Sequence, residues 1–288
     1  MTSAMHSAVQ PSRRGVLGAA ATGALAVGLS GAGGPAAAAS AYRSDRDDRS
    51  DRGDWGDRGD WGDDGPVGGA PRRTVAILLY DGFTALDAVG PYEMLCRLPD
   101  VRVVTVAHRP GPVRTDTGQL ALTAERALAD VRRADVLLVP GGGNRGTIAT
   151  MEDRTILNWV RHLHRRTTWT TSVCTGSLIL GSAGLLKGLP ATTYWASRPY
   201  LAKLGAVWTP GRFVETGRII TAAGVSAGLD MGLHLAARLC DDVTARATQL
   251  AVEYDPHPPF DSGSPEKADE VTRRLALKLI DDAAVPAA

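Results

Sequence analysis

The sequence predicts an α/β protein with a layered parallel sheet and helices on both faces, and three observations support it. Thr74–Tyr80 reads TVAILLY, a near-continuous apolar run suited to a strand buried on both faces. Further strands are read at Val101–Ala107 and Val136–Val139 and a short one at Trp169–Val173, with stretches of helical spacing among them. Strands that alternate with helices pair in parallel, and function gathers at their carboxyl ends.

The elements follow in order. Asp81-Gly82 turns the chain after the first strand, and Pro91–Leu98 is expected as a helix. The strand Val136–Val139 ends at Pro140-Gly141-Gly142-Gly143. Met151–Arg166 has helical spacing through Ile156, Trp159, Val160 and Leu163. Trp169–Val173 runs into Cys174-Thr175-Gly176, and a helix is expected over Ser177–Ala183 with Gly184 as its C-terminal cap. Phe213–Thr216 and Ile219–Ala222, joined by Gly217-Arg218, read as a hairpin. Helices are expected over Ser226–Cys240 and Val243–Val252.

Upstream of this domain the composition changes twice. Ser12-Arg13-Arg14 is followed by an apolar, small-residue stretch from Gly15 to Leu29, then Pro35 and four alanines. That order predicts a signal peptide of the twin-arginine type over residues 1–39, hence export to the periplasm, cell surface or exterior. No stable membrane anchor is expected after cleavage, because the apolar stretch is short and rich in Gly and Ala. Residues 40–73 are rich in Asp, Arg and Gly and repeat Asp51-Arg52-Gly53-Asp54-Trp55-Gly56 as Asp57–Gly62. With almost no aliphatic residues, this segment is expected to be a disordered linker. Residues 74–288 form the expected catalytic domain.

Composition narrows the function classes. Apolar content of 44% and charged content of 22% fit an ordinary globular protein, and the net charge of +1 gives no pull toward nucleic acid. The arginines are interleaved with acids along the chain, which also argues against a nucleic-acid surface. Cys96, Cys174 and Cys240 are too few and too irregularly spaced for a disulfide framework or a zinc site. Neither a metal nor a cofactor is expected.

Three strand ends carry chemically suggestive residues. Cys174 sits on a strand-to-helix turn, where the helix N-terminus is expected to favour a thiolate and to lower its pKa from about 8.5 toward roughly 3.5–7.5. Gly176 relieves crowding at the bend. A buried, inert thiol is the competing reading of any cysteine, and it is kept for Cys96 and Cys240. Gly142 and Gly143 offer amides to a developing anion, together with the amide of Thr175, although a triple glycine alone also reads as a flexible turn. Asp87 is flanked by Leu86 and Ala88, so a partly buried carboxyl is expected. Beside a thiolate, one member of the pair must hold a proton, which makes Asp87 a candidate general acid. A helix-capping role for Asp87 stays open on these grounds, and Glu93 is the other acid within reach.

Together these segments resemble the ThiJ/PfpI superfamily, whose flavodoxin-like fold is related to class I glutamine amidotransferase domains. The stretch from Thr74 to Pro265 is most similar to the isonitrile hydratases of that superfamily. The matching segments are Leu86–Glu93 (LDAVGPYE), Pro140-Gly141-Gly142, Thr171–Ser177 (TSVCTGS), Ala191–Ala196 (ATTYWA), Gly224–Asp230 (GVSAGLD) and Pro258-Pro259-Phe260. The resemblance implies Cys174 as nucleophile, Asp87 as essential acid and Thr175 as neighbouring hydroxyl. Tyr194, where relatives often carry His, is assigned to the substrate-binding wall. The implied activity is that of a hydro-lyase, hydrating R–N≡C to an N-substituted formamide through a thioimidate without a cofactor. A homodimer is implied as well. Two other readings use the same cysteine: a glyoxalase- or deglycase-like enzyme acting on small aldehydes, and a non-enzymatic thiol sensor. The first needs a proton shuttle, and neither His162 nor His164 is placed to provide one.

Overall fold

β1 (Arg73–Leu78) is buried from Val75 onward and pairs in parallel with neighbours on both sides, as its unbroken apolar run requires. The computed structural model describes residues 73–283. The expected signal and all of the expected linker except Arg73 lie outside the described residues, and Arg73 itself opens β1.

The chain continues through α1 (Ala85–Leu95), β2 (Val101–Ala107), β3 (Gly111–Arg114), β4 (Ala121–Ala124), β5 (Arg126–Ala127) and β6 (Val136–Val139). It then forms α2 (Asn144–Glu152), α3 (Arg154–His164), β7 (Trp169–Ser172), α4 (Gly176–Ser182), β8 (Pro190–Ala191), α5 (Arg198–Lys203) and β9 (Val207–Trp208). β10 (Phe213–Thr216), β11 (Ile219–Ala222), α6 (Ala227–Leu239), α7 (Asp242–Ala251) and α8 (Glu270–Ala283) complete it. The main sheet has the order β10-β11-β7-β6-β1-β2-β5. All its pairings are parallel except that of β10 with β11. Helices flank this mostly parallel sheet, as expected.

Three expectations are corrected. The helix expected from Pro91 begins at Ala85 and carries Pro91 inside it. Proline there loses one intrahelical hydrogen bond, but its ring packs against Gly228 of α6, whose missing side chain leaves the space. The earlier start puts Asp87 in the first turn of α1. The single helix expected over Met151–Arg166 is two, because Asp153 adopts an extended conformation and caps α3 by accepting from the amides of Thr155 and Ile156. The β3–β4 hairpin, bridged through Phe83 to both Thr115 and Gly142, lies where no element was expected.

Candidate active site

β7, β6 and β1 are adjacent in the sheet, so the segments leaving their carboxyl ends meet in one place. They bring Cys174, the Pro140–Gly143 turn and Asp87 together, and all three had been singled out in the sequence.

Cys174 follows β7 at a sharp elbow. Its φ of 55° lies in the left-handed region, which costs a non-glycine residue about 1–3 kcal/mol and needs strong local support. That support is visible in the hydrogen bonds. The Cys174 amide donates to the carbonyls of Ala222 and Ala223 at 3.1 and 2.7 Å. Its carbonyl accepts from the hydroxyls of Ser177 and Thr193, each at 3.1 Å. Gly176 makes the bend possible: a Cβ there would lie 2.1 Å from the Val139 carbonyl oxygen.

Asp87 is fully buried. Its Oδ2 accepts from the Gly141 amide at 2.9 Å, while Oδ1 is buried without a hydrogen-bond partner. The Cys174 thiol faces this carboxyl. Burial pushes the Asp87 pKa up to about 8, with the negative charge of Asp116 adding to the rise and the Gly141 amide and the thiol opposing it. Asp87 is therefore a neutral acid near pH 7. It is not a helix cap: Thr84 occupies the N-cap position of α1. Glu93 is turned to Arg97 on the exposed flank of the helix.

The thiol departs from expectation. Burial pushes the Cys174 pKa well above its usual value, and the adjacent Asp87 adds to the rise. The amides of Thr175 and Val225 and the Thr175 hydroxyl work in the other direction but do not win. The thiolate expected from a helix N-terminus is disfavoured because the sulfur is buried and sits beside the Asp87 carboxyl. In the resting site both members of the pair hold their protons.

The oxyanion assignment also changes. The Gly142 amide donates to Thr175 Oγ1 at 2.9 Å, and the Gly143 amide donates to the Gly82 carbonyl at 3.1 Å, so both are spent inside the protein. The amides turned toward the sulfur are those of Thr175 and Val225. Thr175 Oγ1 also donates to the Gly142 carbonyl and contacts Thr147 Oγ1 at 3.0 Å. Its hydroxyl thus clamps the Gly141-Gly142 turn against Asp87. Tyr194 is half-buried, and both burial and the nearby Cys174 raise its pKa.

Several groups here escaped the sequence reading. Tyr80 is buried and donates to the Pro140 carbonyl at 3.1 Å, Thr147 braces Thr175, and Asp116 comes from the β3–β4 hairpin. The Asp116-Thr117-Gly118 turn between the apolar Val113 and Leu122 was a hairpin signal that could have located the last. His162 and His164 are engaged elsewhere, with the Arg132 carbonyl and the Thr170 hydroxyl. All three cysteines are free, and no cluster of metal-ligating side chains occurs among the described residues.

Comparison with known proteins gives a consistent picture. The sequence profile of the DJ-1/PfpI family matches residues 73–238. An isonitrile hydratase of Pseudomonas putida is 43% identical over 210 residues, spanning 71% of this chain and 91% of that protein. An HTH-type transcriptional regulator of Pseudomonas aeruginosa is 31% identical over 194 residues, covering 61% of this chain and 52% of the regulator. The crystal structure of a ThiJ/PfpI family protein from Pseudomonas syringae superposes with a TM-score of 0.70 at 41% identity, covering 73% of this chain and 87% of that one.

Proposed function

The chain belongs to the DJ-1/PfpI family, and from that premise we propose that it is a lyase hydrating an isonitrile to an N-substituted formamide. One observation carries the reading: a buried carboxyl, neutral near pH 7 and with one oxygen unpartnered, faces a thiol on a strained elbow. The terminal carbon of an isonitrile takes both a proton and a nucleophile, and this pair supplies both.

In the first step Asp87 gives its proton to the terminal carbon as the Cys174 sulfur bonds to it. The thiol proton passes to the carboxylate, leaving the thioimidate R–N=CH–S–Cys174 and a neutral Asp87. No preformed thiolate is needed, which fits the raised thiol pKa. In the second step water adds across C=N: the nitrogen takes the Asp87 proton, and Asp87 recovers one from the water. Collapse of the adduct forms the formamide carbonyl and breaks the C–S bond. The hydroxyl proton returns through Asp87 to the sulfur, while the amides of Thr175 and Val225 steady its developing charge. The sum is R–NC plus H₂O giving R–NH–CHO.

The sensor reading has less support, since redox-sensing cysteines are accessible and of low pKa whereas Cys174 is 5% exposed. The aldehyde reading needs a proton shuttle, and His162 and His164 are instead engaged by the Arg132 carbonyl and the Thr170 hydroxyl. The expected homodimer remains part of the proposal, and the exposed Val271, Leu275 and Leu279 on one face of α8 suit it. The deciding experiment supplies a simple alkyl isonitrile to the protein and follows formamide by NMR, alongside Cys174→Ala and Asp87→Asn. Turnover in the wild type and its loss in both variants is expected; a wild type with a reduced, reactive thiol and no formamide overturns the reading.

A further inference from the structure

Asp87 and a second carboxylate, Asp116, are both held by hydrogen bonds around Thr84 and the Gly141 turn. Asp87 Oδ2 accepts from the Gly141 amide, and the Gly141 carbonyl in turn accepts from the Thr84 amide at 2.9 Å. The Thr84 hydroxyl donates to Asp116 Oδ2 at 2.6 Å, and the Thr84 carbonyl accepts from the Asp87 amide at 3.1 Å. Asp116 is held from its other side as well: Oδ1 accepts from the Thr117 amide at 2.9 Å, and its own amide donates to the Phe83 carbonyl at 2.9 Å. Gly143 passes so close that a Cβ there would come within 3.2 Å of Asp116 Cβ.

This arrangement fixes Asp116 as a half-buried carboxylate. Both of its oxygens accept hydrogen bonds, Oδ2 from the Thr84 hydroxyl and Oδ1 from the Thr117 amide. The titratable groups facing Asp87 are the Cys174 thiol, the Tyr80 phenol and Asp116 itself. The first two are neutral near pH 7, because burial raises both. Asp116 is then the fixed negative charge beside the acid.

We propose that Asp116 is a positioning residue for the hydration reaction, a carboxylate locked by Thr84 and Thr117 so that its charge adds to burial in holding Asp87 in its proton-donating form. The proposal rests on the hydratase reading for its catalytic meaning but not for its physical content. A second anion close to a buried acid disfavours ionisation of that acid, so the acid keeps its proton and stays neutral to higher pH. The hairpin that delivers Asp116 thereby extends the alkaline limit of activity beyond what burial alone gives, without touching substrate.

The test is Asp116→Asn. Asn keeps an acceptor for the Thr117 amide and can donate to the Thr84 hydroxyl, so the hairpin is expected to hold. Hydration is followed against pH, and the ionisation of Asp87 is read separately from its protonated-carboxyl infrared band, identified by its loss in Asp87→Asn. The expected result is an alkaline midpoint lower by roughly half to one pH unit on both readouts, with KM unchanged. Asp116→Glu, which keeps the charge, is expected to stay near the wild type. Asp116→Ser gives the same reading as Asn if that variant does not fold. A midpoint that is unmoved or rises in the neutral variants overturns the proposal. If the wild type hydrates no isonitrile, the function reading fails by itself, and the infrared midpoint still decides the role of Asp116.

Discussion

Asp87 and Glu215 are both carboxylates within reach of another titratable side chain, yet the fold treats them in opposite ways. Glu215 on β10 is also partly removed from water, but it accepts from His234 and from both ends of the Arg238 guanidinium. Burial pushes its pKa up, and these partners more than offset that, so it ends below the usual carboxylate range. Asp87 has no cation beside it; it has one amide, a thiol and the field of Asp116, and burial wins. The pair of sites shows that proximity alone does not set a charge state. What decides it is whether desolvation is compensated by a positive partner, and the candidate site is built by withholding one.

The largest effects should come from breaking the uncompensated pair. Cys174→Ala and Asp87→Asn are each expected to lower formamide production by about 10³-fold or more, measured as kcat/KM. The same Asp87→Asn change should reveal the cost of the buried acid. Asp87 has a higher pKa folded than unfolded, so the native state binds the extra proton between about pH 4 and about 8. Stability of the wild type therefore falls as pH rises through that window, by up to ~1.4 kcal/mol per pH unit. Denaturation of wild type and Asp87→Asn at pH 5 and pH 8 checks this: the variant should gain relative to the wild type at the higher pH. Equal pH dependence in the two proteins would remove the basis for a neutral Asp87.

Gly176→Ala tests the elbow rather than the acid. The added Cβ meets the Val139 carbonyl oxygen at 2.1 Å and the Pro140 carbonyl oxygen at 2.8 Å, so backbone must move. A loss of about 1–3 kcal/mol in chemical denaturation is expected, with turnover falling further than stability because Cys174 shifts with the turn. The smallest effect belongs to the compensated site. Glu215→Gln should cost under about 1 kcal/mol above pH 5, and the difference should shrink as pH falls and Glu215 itself protonates. Activity is expected to be unchanged. A large loss of turnover in Glu215→Gln would blur the contrast between the two carboxylates.

Much of this was legible in the sequence because it is local. The apolar runs of β1, β2 and β6 and the β-branched Thr170-Thr171 of β7 announce strands wherever they sit, and a parallel sheet then places their following residues at one end. Cys174 and Asp87 were found that way. The hairpin of β10 and β11 was legible for the same reason, having two apolar runs about a Gly turn. The helix α1 was misplaced because Pro91 reads as a start signal, and only the facing glycine of α6 makes an internal proline acceptable.

The sequence by itself determined the strands, the elbow, and the identity of the thiol and the acid that meet there. Tertiary structure alone decided their protonation. It did so by sealing both from water, by spending the Gly142 and Gly143 amides on Thr175 and Gly82, and by swinging Asp116 in on a hairpin 29 residues along the chain from Asp87. Desolvation and long-range charge depend on what lies around a group in space, and no spacing along the chain encodes them.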